Sequence, residues 1–219
     1  MPERAVQLII LPHRPVKSEA EIDANLDGPI SILLSAPGLI AAWQGFKFEE
    51  KYVRIYLLLW SSLEDSRAFF TSSKYDELNT TIQPAMNGRK IDWQRHALLD
   101  VSTVSDEAHF RSILSSPAIE VAWTKVVEGK VHGYLDTFAK AVAPILEAEP
   151  GCDGFFISSQ IENLQDQILL INWKSVDAHH VDFENKQGFR DCITALFDYY
   201  AVFVVPWHIV GLKKIFGDF

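Results

Sequence analysis

The apolar positions of this chain fall into an order of runs and stripes that occurs twice. Val6 to Leu11 is an unbroken apolar run closed by Pro12, the pattern of a strand buried on both faces. Ile22, Leu26, Ile30, Leu33 and Leu34 then recur at helical spacing, with a Ser18/Glu21 capping box ahead of them and Pro37-Gly38 behind. Leu39 to Phe48 and Val53 to Trp60 predict a hairpin that turns at Glu49-Glu50-Lys51. Ser61 or Ser62 caps a short helix bearing Ala68, Phe69 and Phe70, a further helical stretch covers Tyr75 to Met86, and Ile91 to Leu99 closes the series as a strand. The order β-α-β-β-α-β is the ferredoxin-like split unit.

The same order returns in the second half. Glu120 to Val127 predicts the first strand, and Tyr134, Phe138, Val142, Ile145 and Leu146 stripe a helix over 131–148 that ends at Pro150-Gly151. Cys152 to Gln160 and Gln167 to Trp173 form the hairpin, Ser175 caps the next helix, Phe189 to Tyr199 is helical, and Ala201 to Leu212 is the closing strand. The halves share a gapless register: 150 − 37 and 173 − 60 are both 113, and Phe70 pairs with Phe183 at that offset. A period this long means a duplicated domain rather than a solenoid repeat. The expected organisation is a first repeat over 1–100, a connector over 101–118 with a helix introduced by Ser105, and a second repeat over 119–219.

Tyr52 to Trp60 and Ala201 to Gly211 are nearly continuous in apolar residues, so both faces of their strands are expected to be covered. One face takes the repeat's own helices. The other is expected to meet the sheet of the other repeat, which predicts an α+β fold of two tandem ferredoxin-like repeats closing a pseudo-twofold barrel within one chain. That reading allows a monomer with an internal pseudo-dimer, or a homodimer. A formal charge of −9 argues against nucleic acid and anionic membranes as partners. Cys152 and Cys192 are expected to be free buried thiols in a reducing compartment, and no apolar stretch reads as a leader or a membrane span, so the expected location is the cytoplasm.

Ala36-Pro37-Gly38, Leu57-Leu58-Leu59-Trp60-Ser61-Ser62 and Phe70-Thr71-Ser72-Ser73-Lys74-Tyr75 resemble the dimeric α+β barrel proteins of the antibiotic-biosynthesis monooxygenase type. The second half keeps Glu149-Pro150-Gly151, Leu170-Ile171-Asn172-Trp173-Lys174-Ser175 and Phe183. The tandem format is similar to fungal two-repeat members, which implies secondary metabolism. The resemblance covers cofactor-free monooxygenases, heme-degrading enzymes, isomerases, cyclases and members without known activity. Many relatives carry a histidine nine residues after the tryptophan; Phe69 and Asp182 stand there in this chain, so heme ligation does not transfer.

The residues leave a short list for chemistry. His96 and His208 sit on the closing strands of the two repeats, where an imidazole suits general base work near neutral pH. On a helix, adjacent His179 and His180 are expected to diverge and not to share a metal, with one of them, His180, bordering the cavity as a proton-transfer group. Tyr75 stands where related cyclases place a tyrosine and can donate to an oxyanion. Arg14, Phe70, Trp123, Phe183 and Trp207 are the expected substrate contacts; Trp60 and Trp173, which share a repeat position, are architectural, and Trp93 belongs to the core. Motifs for nucleotides, metals and catalytic triads are missing, so neither cofactor nor metal is expected. The expected function is cofactor-independent proton transfer on an aromatic or polyketide-like substrate, as a cyclase, isomerase or monooxygenase. The alternatives are a non-catalytic ligand-binding or stress-associated protein and a heme binder.

Overall fold

A computed structural model of the chain describes residues 3–16, 18–86, 88–92, 95–99 and 106–219, Glu19 by its backbone alone. The Trp93 and Ser105 positions lie outside them. The described residues form two compact units, Met1–His96 with Lys213–Phe219, and Ala97–Leu212.

The first unit has β1 (Ala5–Pro12), α1 (Glu19–Leu34), β2 (Leu39–Lys47), β3 (Val53–Trp60), α2 (Leu63–Phe70), α3 (Ser73–Ile82) and the first residue of β4 (His96–Leu98), which runs on into the residues of the second unit. Its strands lie in the order β4-β1-β3-β2, the ferredoxin-like arrangement, with β3 antiparallel to both β1 and β2. Ser18 caps α1 by accepting the Glu21 N–H, and Ser62 caps α2 by accepting that of Asp65. The Pro37-Gly38 turn has a packing reason: Gly38 takes φ +80, and a Cβ there would collide with Asp65 in the first turn of α2. β3 is buried along its whole length, as its apolar run requires. Among the described residues the closing strand is His96–Leu98, with a bridge from Asp92 to Ile10 ahead of it.

The second unit has α4 (Glu107–Leu114), β5 (Ala118–Val126), α5 (Val131–Thr137), α6 (Ala143–Ala148), β6 (Cys152–Ser159), β7 (Asp166–Trp173), α7 (Gln187–Leu196), β8 (Tyr200–Phe203) and β9 (Trp207–Gly217), the last running on into the residues of the first unit. β7 pairs antiparallel with β5 and β6, and β5 takes both β8 and β9 on its other edge. Asp106 caps α4 by accepting the His109 N–H. α4 packs on the sheet through Phe110 against Phe156, on the face opposite α5 to α7.

Two expectations fail here. The closing strand is not continuous, because Pro206 cannot donate to the ladder and the pairing breaks between β8 and β9. Nor are its faces covered: Val202 to Val205 are exposed, Val205 by 76%.

Two helical stretches of the second unit are π-helical, Phe138–Val142 between α5 and α6 and Ala178–Phe183 before α7. The described first unit has none. The first is closed by Ala143 N–H to Phe138 O and precedes Pro144, whose missing N–H breaks the α ladder. The second is closed by Glu184 N–H to His179 O at 3.0 Å. The second adds one residue relative to the first repeat. α7 lies 114 residues after α3 (187 − 73 and 196 − 82), and Phe183, which packs on Trp173, is the counterpart of Phe69 on Trp60, since 183 − 69 is also 114. The gapless pairing of Phe70 with Phe183 is therefore off by one.

Candidate functional site

Strand β5 aims Glu120 between the strands of the second unit and its helices. Its carboxylate Oε2 accepts the Trp173 indole N–H at 2.7 Å, and His179 Nε2 lies 3.3 Å from the same oxygen. His179 stacks on Trp173 with ring centres 5.1 Å apart, and its Nδ1 is 3.0 Å from Nε2 of His208 on β9. Trp173, Glu120, His179 and His208 thus form one buried polar chain. Its outer end is Glu184, whose Oε1 accepts from His180 Nδ1 at 3.1 Å.

Burial sets the protonation of this chain. Removal from water pushes the Glu120 carboxyl up to about 7; the Trp173 hydrogen bond pulls it down and the Glu184 charge pushes it further up. Burial, with His208 and His180 close by, holds His179 down at about 3. His179 is therefore neutral, and its contact with Glu120 is polar rather than an ion pair. With its proton on Nε2, facing Glu120, Nδ1 is left to accept from His208 Nε2–H.

Glu120, His179 and Glu184 are the acidic and imidazole groups on the wall of a cavity of about 240 Å³, otherwise lined mainly by apolar and aromatic side chains such as Trp123, Tyr134, Phe138 and Phe183. Small-molecule sites usually start near 300 Å³, so the occupant is compact. Both π-helical stretches border it, through Phe138 and Val142 and through His179 and Phe183. Cys192 also faces it, but burial raises its thiol to about 11, which makes it a poor nucleophile.

The first unit holds the same skeleton with an amide and a hydroxyl in place of the Glu120 carboxyl and the His179 imidazole. Trp60 donates its indole N–H to Gln7 Oε1 at 2.8 Å, and Ser66 Oγ is 2.9 Å from His96 Nε2. Gln7 and Ser66 are the repeat partners of Glu120 and His179: 120 − 7 and 179 − 66 are both 113.

Of the residues singled out from sequence, Trp123 and Phe183 line the cavity. His208 is wholly buried behind it, and His180 stands beside it half-exposed. His96 is in the first unit on Ser66, and Tyr75 packs edge-on against Phe70, 5.1 Å between ring centres, also in the first unit. Arg14 is exposed just after β1, and Trp207, half-buried on β9, is not among the cavity residues. The expected divergence of His179 and His180 is contradicted: their rings stack at 4.7 Å and 29°. The wider π turn separates consecutive side chains by a smaller angle than an α turn does, and Glu184 and His208 draw the two rings to one side. Glu120 and Glu184 were missed by motif reasoning, which chose His180 rather than His179 of the adjacent pair, although the mismatches Gln7/Glu120 and Ser66/His179 at the repeat offset carry the signal.

Residues 117–195, which contain the cavity wall from Glu120 to Ile193, match the family model of antibiotic biosynthesis monooxygenases. The family match falls within the second unit. No curated protein matches it. Among solved structures, a putative monooxygenase from Fusobacterium nucleatum aligns at 11% identity and a TM-score of 0.63 over 97% of this chain and 94% of its own. One from Lactobacillus acidophilus NCFM aligns at 10% and 0.60 over 97% and 96%, and an anthrone oxidase-like protein at 10% and 0.64 over 98% and 94%. These likenesses establish a shared two-repeat fold. The matched segment coincides with the repeat in which the Gln and Ser of the first are Glu and His.

Proposed function

We propose that the second unit is a small-molecule monooxygenase-type active site in which Glu120 removes a proton from an aromatic or polyketide-like substrate. The observation that carries this is the Glu120 carboxylate, buried at the wall of an apolar cavity and held by Trp173 and His179. A carboxyl near 7 is matched to general base catalysis at neutral pH, where such a group contributes about 10²- to 10⁴-fold. The substrate class suited to one buried base is a ring carrying an activated CH2 or a phenol, whose conjugate base is electron-rich enough to reduce dioxygen. For a CH2 the balance closes without another reductant: Glu120 takes the first proton, a C–O bond forms to O2, and the O–O bond breaks as the carbon becomes C=O and water leaves. His179 supports the carboxylate through its Nε2–H, and Glu120 returns the proton to the oxygen that leaves as water.

Oxygen uptake with a panel of anthrones and quinols tests the reading. The wild type is expected to consume O2 with at least one of them, and Glu120→Gln, which keeps the Trp173 hydrogen bond as Gln7 keeps that of Trp60, to lose at least about 100-fold. Uptake by the variant at the wild-type rate removes Glu120 from the chemistry.

A further inference from the structure

His179, His180 and His208 offer three ligand nitrogens, one per ring, all within 4.8 Å of one another. His179 Nδ1 and His208 Nε2, 3.0 Å apart, are near the roughly 3.3 Å that separates two nitrogens on one tetrahedral cation at about 2.05 Å. The remaining nitrogens of two of these rings face carboxylates: His179 Nε2 is 3.3 Å from Glu120 Oε2, and His180 Nδ1 is 3.1 Å from Glu184 Oε1. Metal-binding histidines are held in this way, the far ring nitrogen giving its proton to a carboxylate while the near one keeps its lone pair. The two carboxylates also supply negative charge close to the ring cluster. Two of the rings, His179 and His208, are buried.

We propose that His179, His180 and His208 form a three-imidazole site for a divalent transition-metal cation of the zinc, cobalt or nickel type. Imidazole nitrogens suit these ions, whereas magnesium and calcium call for oxygen ligands. His180, with 39% of its side chain exposed, closes the site by swinging inward, and its open side is the route of entry. The cation sits on the Nδ1 side of His179, away from Glu120. It therefore fixes the same tautomer that the His208 hydrogen bond fixes, and its binding does not depend on Glu120 acting as a base. The first repeat has Ser66 and Arg67 in place of His179 and His180, so its His96 lacks these partners.

The full chain, treated with a chelator and dialysed, is titrated with Co²⁺ by visible d–d absorption and with Zn²⁺ by calorimetry. One Co²⁺ per chain, displaced by one Zn²⁺, is expected, with binding weakened about tenfold or more in His180→Ala and in His208→Ala. His208 is wholly buried, so the half-exposed His180 carries the test if the His208 variant does not fold. No saturable binding by the wild type, or binding retained at full strength by the folded variants, overturns the site. Because the readout is binding, it fails or succeeds independently of oxygen uptake in Glu120→Gln.

Discussion

Gln7 and Glu120 occupy the same place in the two repeats, 113 residues apart, and each accepts the indole N–H of the tryptophan that ends the third strand of its repeat. One repeat keeps a neutral amide there, and the other a buried carboxyl. The duplication thus supplies its own control for the cost and the use of that charge.

Glu120→Gln stabilises the protein at alkaline pH. The folded state raises this carboxyl from 4.5 to about 7, so its protonated form is favoured by folding. Stability is full below about pH 4.5, declines as pH rises toward 7, and stays low above it. Gln has no such decline. The variant is expected to match the wild type at pH 4.5 and to exceed it by about 2–3 kcal/mol at pH 8, read by urea unfolding at both pH values. Equal stability at pH 8 contradicts a raised carboxyl.

His179→Ser rebuilds the pair that Ser66 makes with His96. The fold is expected to survive, because the first unit satisfies the same strand histidine with a hydroxyl. Oxygen uptake is expected to fall about tenfold or more as Glu120 loses its imidazole partner. A fully active variant would separate His179 from the chemistry.

Removing one residue from the π-helical stretch Ala178–Phe183 returns it to the register of α2. Val181 is the residue to delete, since its side chain is exposed. A folded protein with its cavity aromatics in place, unchanged far-ultraviolet circular dichroism and no oxygen uptake is the expected result. π segments arise as single-residue insertions and gather at functional sites, and this one turns His179 and Glu184 to the cavity. Retained uptake would make the insertion incidental.

The strands and capped helices were legible because periodicity, Pro-Gly breaks and Ser caps act locally. Ser18, Ser62 and Ser175 cap the helices expected of them. The π segments were not legible: a one-residue insertion leaves the apolar stripe nearly in phase, and at Phe183 it resembles a gapless repeat. The broken closing strand was hidden because Val202 to Val205 are apolar yet exposed. The site was half legible. Histidines attract attention through their ordinary pKa, whereas Glu120 becomes reactive only through burial, which sequence shows only when the neutral Gln7 is set beside it.

The most direct test is infrared difference spectroscopy of wild type against Glu120→Gln across pH 4 to 9. The account predicts one buried protonated carboxyl C=O band, present in the wild type, absent from the variant, and titrating with a midpoint near 7. A wild type with no such band above pH 5, or a band that persists in Glu120→Gln, would contradict it.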